Sequence, residues 1–148
     1  MHESRCRTVT DIGAQPKQQS MTTHRTHYTI EREWPAKELS PNARVHWAIR
    51  AKAVRMARES ACSAMREALG WRRLACTQTE RLQIECTFHP PIDARRRDLD
   101  NCIASIKSTL DGISDATGIN DHQFRLSCEM GGEVARGRVV IVVGVVTQ

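Results

Sequence analysis

An α+β domain, with about four strands in one mixed sheet and two main helices in the order β-α-β-α-β-β, is what three features of the chain predict. Short segments at 28–34, 81–89, 121–130 and 138–146 alternate apolar and polar residues or run apolar throughout, as strands do. Two longer stretches between them, about 45–69 and 99–113, carry helix formers with apolar residues at helical spacing. Because strands and helices interleave, the helices should cover one face of a shared sheet.

The elements follow in order. Residues 1–25 are polar, rich in Gln, Ser and Thr and without period, so a disordered leader is expected, with Met21 as a second possible start and the folded domain at 26–148. "YTIEREW" alternates as a strand, and Pro35 confines it to an edge or ends it. From Val45 to Leu69 there is no Gly or Pro; Ala48, Ala51, Val54, Met56, Ala61, Met65 and Leu69 mark the expected inner face, and Gly70 supplies the stop. The same helix is strongly basic, through Arg44, Arg50, Lys52, Arg55, Arg58 and Arg66, which is either a solvated face or a surface that tracks phosphates. "RLQIECTFH" turns Leu82, Ile84, Cys86 and Phe88 to one side and ends at Pro90. Phe124, Leu126 and Cys128 alternate in the next strand, and "GGEVARG" reads as a turn that pairs the last, valine-rich strand with its predecessor.

Composition narrows the class. The chain has 148 residues, a formal charge of +5 and a pI near 9.1, which suits a polyanionic partner without requiring one. Its most apolar segment is too short to cross a bilayer, and the N-terminus lacks the apolar region of an export signal, so a cytoplasmic protein is expected. The six cysteines form no C-x-x-C pair and are read as reduced thiols, not a zinc site or disulfide framework.

The chemistry concentrates at "RRRDLDNCIASIKSTLDG", 95–112. Leu99, Ile103, Ile106, Leu110 and Ile113 recur at steps of 4 and 3, which fixes the phase of a helix. In that phase Asp100 and Lys107 share a side, roughly 10 Å apart. Asp100 stands where an N-cap belongs; Asp98, still in extended chain, projects to the same side. Two carboxylates on one face repel, and a divalent cation is the usual compensation. Oxygen ligands without a nearby Cys or His pair favour Mg²⁺, with Mn²⁺ as the alternative. A third carboxylate is available in "INDHQF", where Asp121 precedes a strand and is preferred over Asp115, which the pattern leaves in a loop. Three carboxylates around one or two such ions activate water in phosphodiester hydrolysis. Lys107 would neutralise charge building on the phosphate, and Arg95, Arg96 and Arg97 would bind phosphates bidentately.

In "RRRDLDN", "IKSTLDG", "NDHQ", "LSPNARVHW" and "GGEVARGRVVIVV" the chain resembles, from about Tyr28 to Val146, the RusA family of Holliday-junction resolvases. The resemblance implies a homodimeric, Mg²⁺- or Mn²⁺-dependent endodeoxyribonuclease that cuts four-way DNA junctions by paired strand cleavage in recombination and repair, of phage or prophage origin. It implies metal-ligand roles for Asp98, Asp100 and Asp121 and the catalytic-lysine role for Lys107, although some members carry that lysine where this chain has Ala104. Where members carry paired acids, Asn120 precedes Asp121 here. His46 and Trp47 are read as capping and packing residues outside the site. The alternative is a catalytically impaired protein that binds junctions or regulates.

Overall fold

The valine-rich run near the end of the chain decides the sheet. In the computed structural model, which describes residues 26–92 and 98–147, this run forms β4 (Arg138–Thr147) and lies between β1 (His27–Glu33) and β2 (Glu80–His89), antiparallel to both. A fourth strand, β3 (Phe124–Met130), pairs parallel with β2 at the other edge, giving the order β1-β4-β2-β3. The fold is thus α+β with a four-stranded mixed sheet. Strands buried on a helix-covered face and flanked on both sides are the apolar ones, and β4 and β2 take those central positions.

The expected pairing of β4 with its predecessor does not form. Residues 131–137 instead cross the C-terminal end of β2, from one neighbour to the other. Gly131 N–H donates to the Phe88 carbonyl at 2.8 Å and Val134 N–H to the Pro90 carbonyl at 2.9 Å. Gly137 has φ of 70°, and a Cβ there would lie 2.6 Å from Pro91 Cδ, so the crossing needs glycine at that point. A local turn signal shows that the chain reverses, not which strand it reverses onto.

Three helices pack against the face that carries Leu82, Ile84, Cys86 and Phe88. The long α1 (Trp47–Leu69) ends at Gly70 as expected. The second expected helix is two pieces, α2 (Leu99–Ser105) and α3 (Lys107–Thr117), parted at Ile106 with φ −96° and ψ 6°. There the Ile106 N–H bonds three residues back to Ile103, a tightened turn between the two. Ile106 and Ile113 are fully buried with Met65, Phe88, Ile141 and Val143 in one core; each such side chain contributes about 1.5–3 kcal/mol. Gly112 lets α3 approach α1 closely, since a Cβ on it would lie 2.3 Å from the Arg58 carbonyl oxygen.

Helix α1 behaves as two halves. Ala61, Met65 and Leu69 are buried, whereas Val54 and Met56, expected inside, are exposed, and so is Ile49. Ile49 and Met56 of the first half line an open groove of about 410 Å³ with Trp34, Leu39, Val139 and Ile141, so the helical apolar pattern meets partners there without being enclosed by them. Its basic residues divide likewise. Arg50 reaches back to the Ala43 carbonyl at 2.7 Å, and Arg58 grips Asp115 through two hydrogen bonds of 2.5 and 2.8 Å. Lys52 and Arg55 stay exposed. No described helix is long and apolar enough to cross a membrane.

Candidate functional site

A cleft of about 480 Å³ opens between the connection from β1 to α1 and the start of α2. Its first wall is the segment 34–45, held by a 3-10 turn at Lys37–Leu39 and by Arg50 from α1, which ties down the turn at Ser40 and Ala43. Its second wall is α2, contributing Asp98, Asn101, Cys102 and Ser105. The Asn42 amide donates across to the Asn101 side-chain oxygen at 3.5 Å, a long bond that joins the walls. Two cations, Lys37 and Arg44, face the same space as the Asp98 carboxylate.

Asp98, not Asp100, is the N-cap residue of α2. Its backbone is extended, its carbonyl accepts from the Cys102 N–H at 3.2 Å, and its carboxylate makes no capping hydrogen bond. An aspartate at this position ordinarily turns its oxygen onto a backbone N–H of the first turn, worth about 1 kcal/mol. Here that carboxylate is exposed at the mouth of the cleft and without a hydrogen-bond partner among the described residues. Asp100 follows in the first turn of α2, exposed and outside the cleft lining. The break at Ile106 separates Lys107 from α2; Lys107 opens α3, exposed and also away from the cleft.

The third expected acid lies elsewhere. Asp121 begins a 3-10 turn, Asp121–Gln123, that leads into β3, whose first residue Phe124 is opposite Leu82. Gln123 in that turn donates to the Thr77 carbonyl at 3.2 Å, just before β2 starts. Asp121 therefore sits at the N-terminal end of β2, while Asp98 follows its C-terminal end. At about 3.3 Å per residue the run from Leu82 to His89 alone spans roughly 23 Å, and α2 with α3 retraces that length. Among the described residues no three His, Cys, Asp or Glu side chains form a group able to hold a metal ion. The expected trio of Asp98, Asp100 and Asp121 is not assembled within one chain. The reason is topological, because a parallel crossover returns the chain to the opposite end of the sheet before the next strand begins.

Asp115, which the sequence pattern left in a loop, lies in α3, where the Arg58 guanidinium hydrogen-bonded to it holds its carboxyl below the usual carboxylate range. Arg95, Arg96 and Arg97 fall outside the described residues, and so does the leader at 1–25. His46 caps α1 as expected, accepting from the Ala48 N–H at 3.2 Å, but Trp47 is 75% exposed and packs no core. Asn42 and Arg44, which the sequence reading noted without placing them in the site, and Lys37, which it did not single out, also line the cleft. The signal available was the position of Asn42 and Arg44 in "LSPNAR", beside the helix start, with Lys37 two residues before that segment, and nothing local to them indicates that α2 lies across from it.

A four-stranded mixed sheet with helices on one face, and an acid-and-amide cleft at the C-terminal end of a central strand, define the class as an α+β domain. A protein of Xylella fastidiosa (strain Temecula1), described as an uncharacterized protein, is 43% identical over 116 residues, covering 78% of this chain and 74% of that one. The chain belongs to the family of that protein. No family model matches it. Among solved structures, the crystal structure of a cyanuric acid hydrolase from A. caulinodans covers 84% of this chain at 14% identity, with a TM-score of 0.36. This chain spans 40% of that hydrolase's length, and nothing about its own chemistry follows from a match of that level.

Proposed function

We propose that the protein is a cytoplasmic, Mg²⁺- or Mn²⁺-dependent, structure-selective endodeoxyribonuclease that resolves four-way DNA junctions as a homodimer in recombination or repair. The observation that carries this reading is the Asp98 carboxylate, placed at a helix cap yet unused for capping, at the mouth of a cleft with Lys37 and Arg44. The resemblance in "RRRDLDN" and "IKSTLDG" supplies the junction preference.

The donors near the cleft are hard oxygens, the Asp98 carboxylate and the Asn42 and Asn101 amides, with Asp100 two residues on, and oxygen donors suit these two cations. Among the described residues no three of these carboxylates come together. The residues of the chain have roles that need no metal. Lys37 and Arg44 hold a phosphodiester against the cleft, and the amides of Asn42 and Asn101 fix the distance between its walls. Lys107 and the arginines Arg95, Arg96 and Arg97 are assigned to charge on the DNA backbone.

The split of the acids favours a second reading, a junction-binding or regulatory protein with impaired catalysis. A labelled four-way junction incubated with protein and Mg²⁺ separates the two: nicked duplexes mark the enzyme, and a shifted band with intact strands marks the binder. Asp98→Asn and Asp100→Asn should each retain the shift and lose the nicks. Undiminished cleavage by both variants, or neither shift nor cleavage by the native protein, overturns the nuclease reading.

A further inference from the structure

Two of the described cysteines are neighbours across a strand pair. Cys86 of β2 stands directly opposite Cys128 of β3 in the parallel ladder, and both side chains point to the helix-covered face. Adjacent strands run about 4.8 Å apart. A disulfide joins Cα atoms roughly 4.4–6.8 Å apart with Cβ atoms at about 3.5–4.5 Å, so the backbone separation already suits one and only the side chains have to close. Position in the sheet lets them. Cys86 is fixed on a central strand between β4 and β3, whereas Cys128 is on the edge strand, which can give toward β2 without drawing a further strand after it.

The two thiols differ in what can reach them. Cys86 is fully buried and Cys128 half-buried. On either side of Cys128 along the same face, Leu126 and Met130 are 39% and 41% exposed, so small solutes have access to that side of β3. The Cys86 S–H donates to the Cys128 sulfur; that bond, together with burial, pushes the Cys86 thiol up, and the same bond draws Cys128 below the usual thiol range. The thiolate is the reactive form. The sulfur within reach of solvent is therefore the one that ionises, and the buried sulfur beside it is placed to displace what it acquires.

We infer that Cys86 and Cys128 are a peroxide-reactive thiol pair that closes to a reversible disulfide between β2 and β3. The Cys128 thiolate attacks one oxygen of a hydroperoxide: an S–O bond forms, the O–O bond breaks, and the leaving oxygen takes up the proton that Cys128 released and departs as an alcohol or water. The Cys86 sulfur then attacks the Cys128 sulfur, the S–S bond forms, the S–O bond breaks, and the hydroxyl leaves as water with the Cys86 proton. The two thiols lose two electrons and the hydroperoxide gains them. A dithiol reductant returns both thiols. The consequence is mechanical, because α2, the second wall of the cleft, packs on β3, and the disulfide ties that edge strand to the centre of the sheet. Neither cysteine lines the cleft, so the pair stands whether or not the cleft cuts DNA.

The test uses the full chain, reduced and then treated with equimolar hydrogen peroxide. After free thiols are alkylated, trypsin digestion without reductant should give a linked species joining peptides 82–95 and 126–136, with four of the six cysteines alkylated. On a non-reducing gel the chain should run singly, and dithiothreitol should release both peptides. The link should form at least about tenfold faster in the native fold than in urea, where nothing holds the two sulfurs together. Cys86→Ser should leave Cys128 as a sulfenic acid that dimedone traps, and Cys128→Ser should give neither a link nor an adduct at Cys86. If circular dichroism shows Cys86→Ser to be unfolded, the native peptide map and Cys128→Ser decide. A map that leaves these two cysteines unlinked, links others first or joins two chains, or a dimedone adduct on Cys86 in place of Cys128, would overturn the inference.

Discussion

The two ends of the sheet differ in what they keep available. At the C-terminal end of β2 a carboxylate, two amides and two cations face a cleft, and Asp98 caps a helix with its backbone while its side chain makes no capping hydrogen bond. At the N-terminal end Asp121 opens a short turn secured by local bonds, Asn120 accepting from the His122 N–H and Gln123 donating to Thr77. The first end is arranged around a space and the second around a chain reversal. Acids that look equivalent in a motif acquire different prospects once a parallel crossover assigns them to opposite ends.

The sharpest way to test that contrast uses both ends at once. Asp98→Asn and Asp121→Asn should each lower junction cleavage by at least ~10³-fold when assayed alone. If the acids meet across two copies, a mixture of the variants contains mixed dimers with one intact site, and nicking of one strand returns. A mixture as inactive as its components would show that Asp121 serves no site with Asp98.

Phe88 lies at the cleft end, fully buried and edge-on to Trp34 at 6.3 Å between ring centroids. Phe88→Ala should cost about 3–5 kcal/mol in urea unfolding, and hydrogen exchange should rise around 34–45 before it rises around Asp121. Gly112 sits between the ends, where α3 crosses α1. Gly112→Ala forces a methyl against the Arg58 carbonyl and Ala61, and about 1–3 kcal/mol of overpacking should appear in the same measurement.

A smaller effect separates the cleft cations from general basicity. Arg44→Ala should weaken junction binding and reduce the slope of log affinity against log salt by about 1, whereas Gln123→Ala at the other end should leave the slope alone. Smallest is Asp115→Asn, which removes the exposed pair with Arg58. Asp115 has a lowered pKa in the fold, so its contribution is present above the ordinary carboxylate range and is lost as pH falls through the folded value. The variant should melt slightly lower than the native protein near neutral pH and together with it in strong acid.

Local patterns were legible wherever a residue's neighbours in sequence are also its neighbours in space. Gly70 stops α1, His46 caps it, and Leu82, Ile84, Cys86 and Phe88 face the core as their alternation predicts. The apolar stripe from Leu99 to Ile113 was legible too, but not its break at Ile106, because buried apolar residues suit a tight turn and a helix alike. Partners of long range were not legible. Nothing in "RVVIVVGVV" says that β1 and β2, not β3, will flank it, and nothing near Asn42 announces Asn101.

The sequence by itself determined the α+β class, the order of its elements, the core faces of its strands and the density of acids and bases around 95–100, since these depend on residue type and period. Tertiary structure alone decided that β4 is central, that β3 is an edge, and that Asp98 and Asp121 stand at opposite ends of β2. The physical reason is that periodicity fixes the direction in which a side chain points, whereas the place it reaches depends on how the crossover between parallel strands carries the chain back along the sheet.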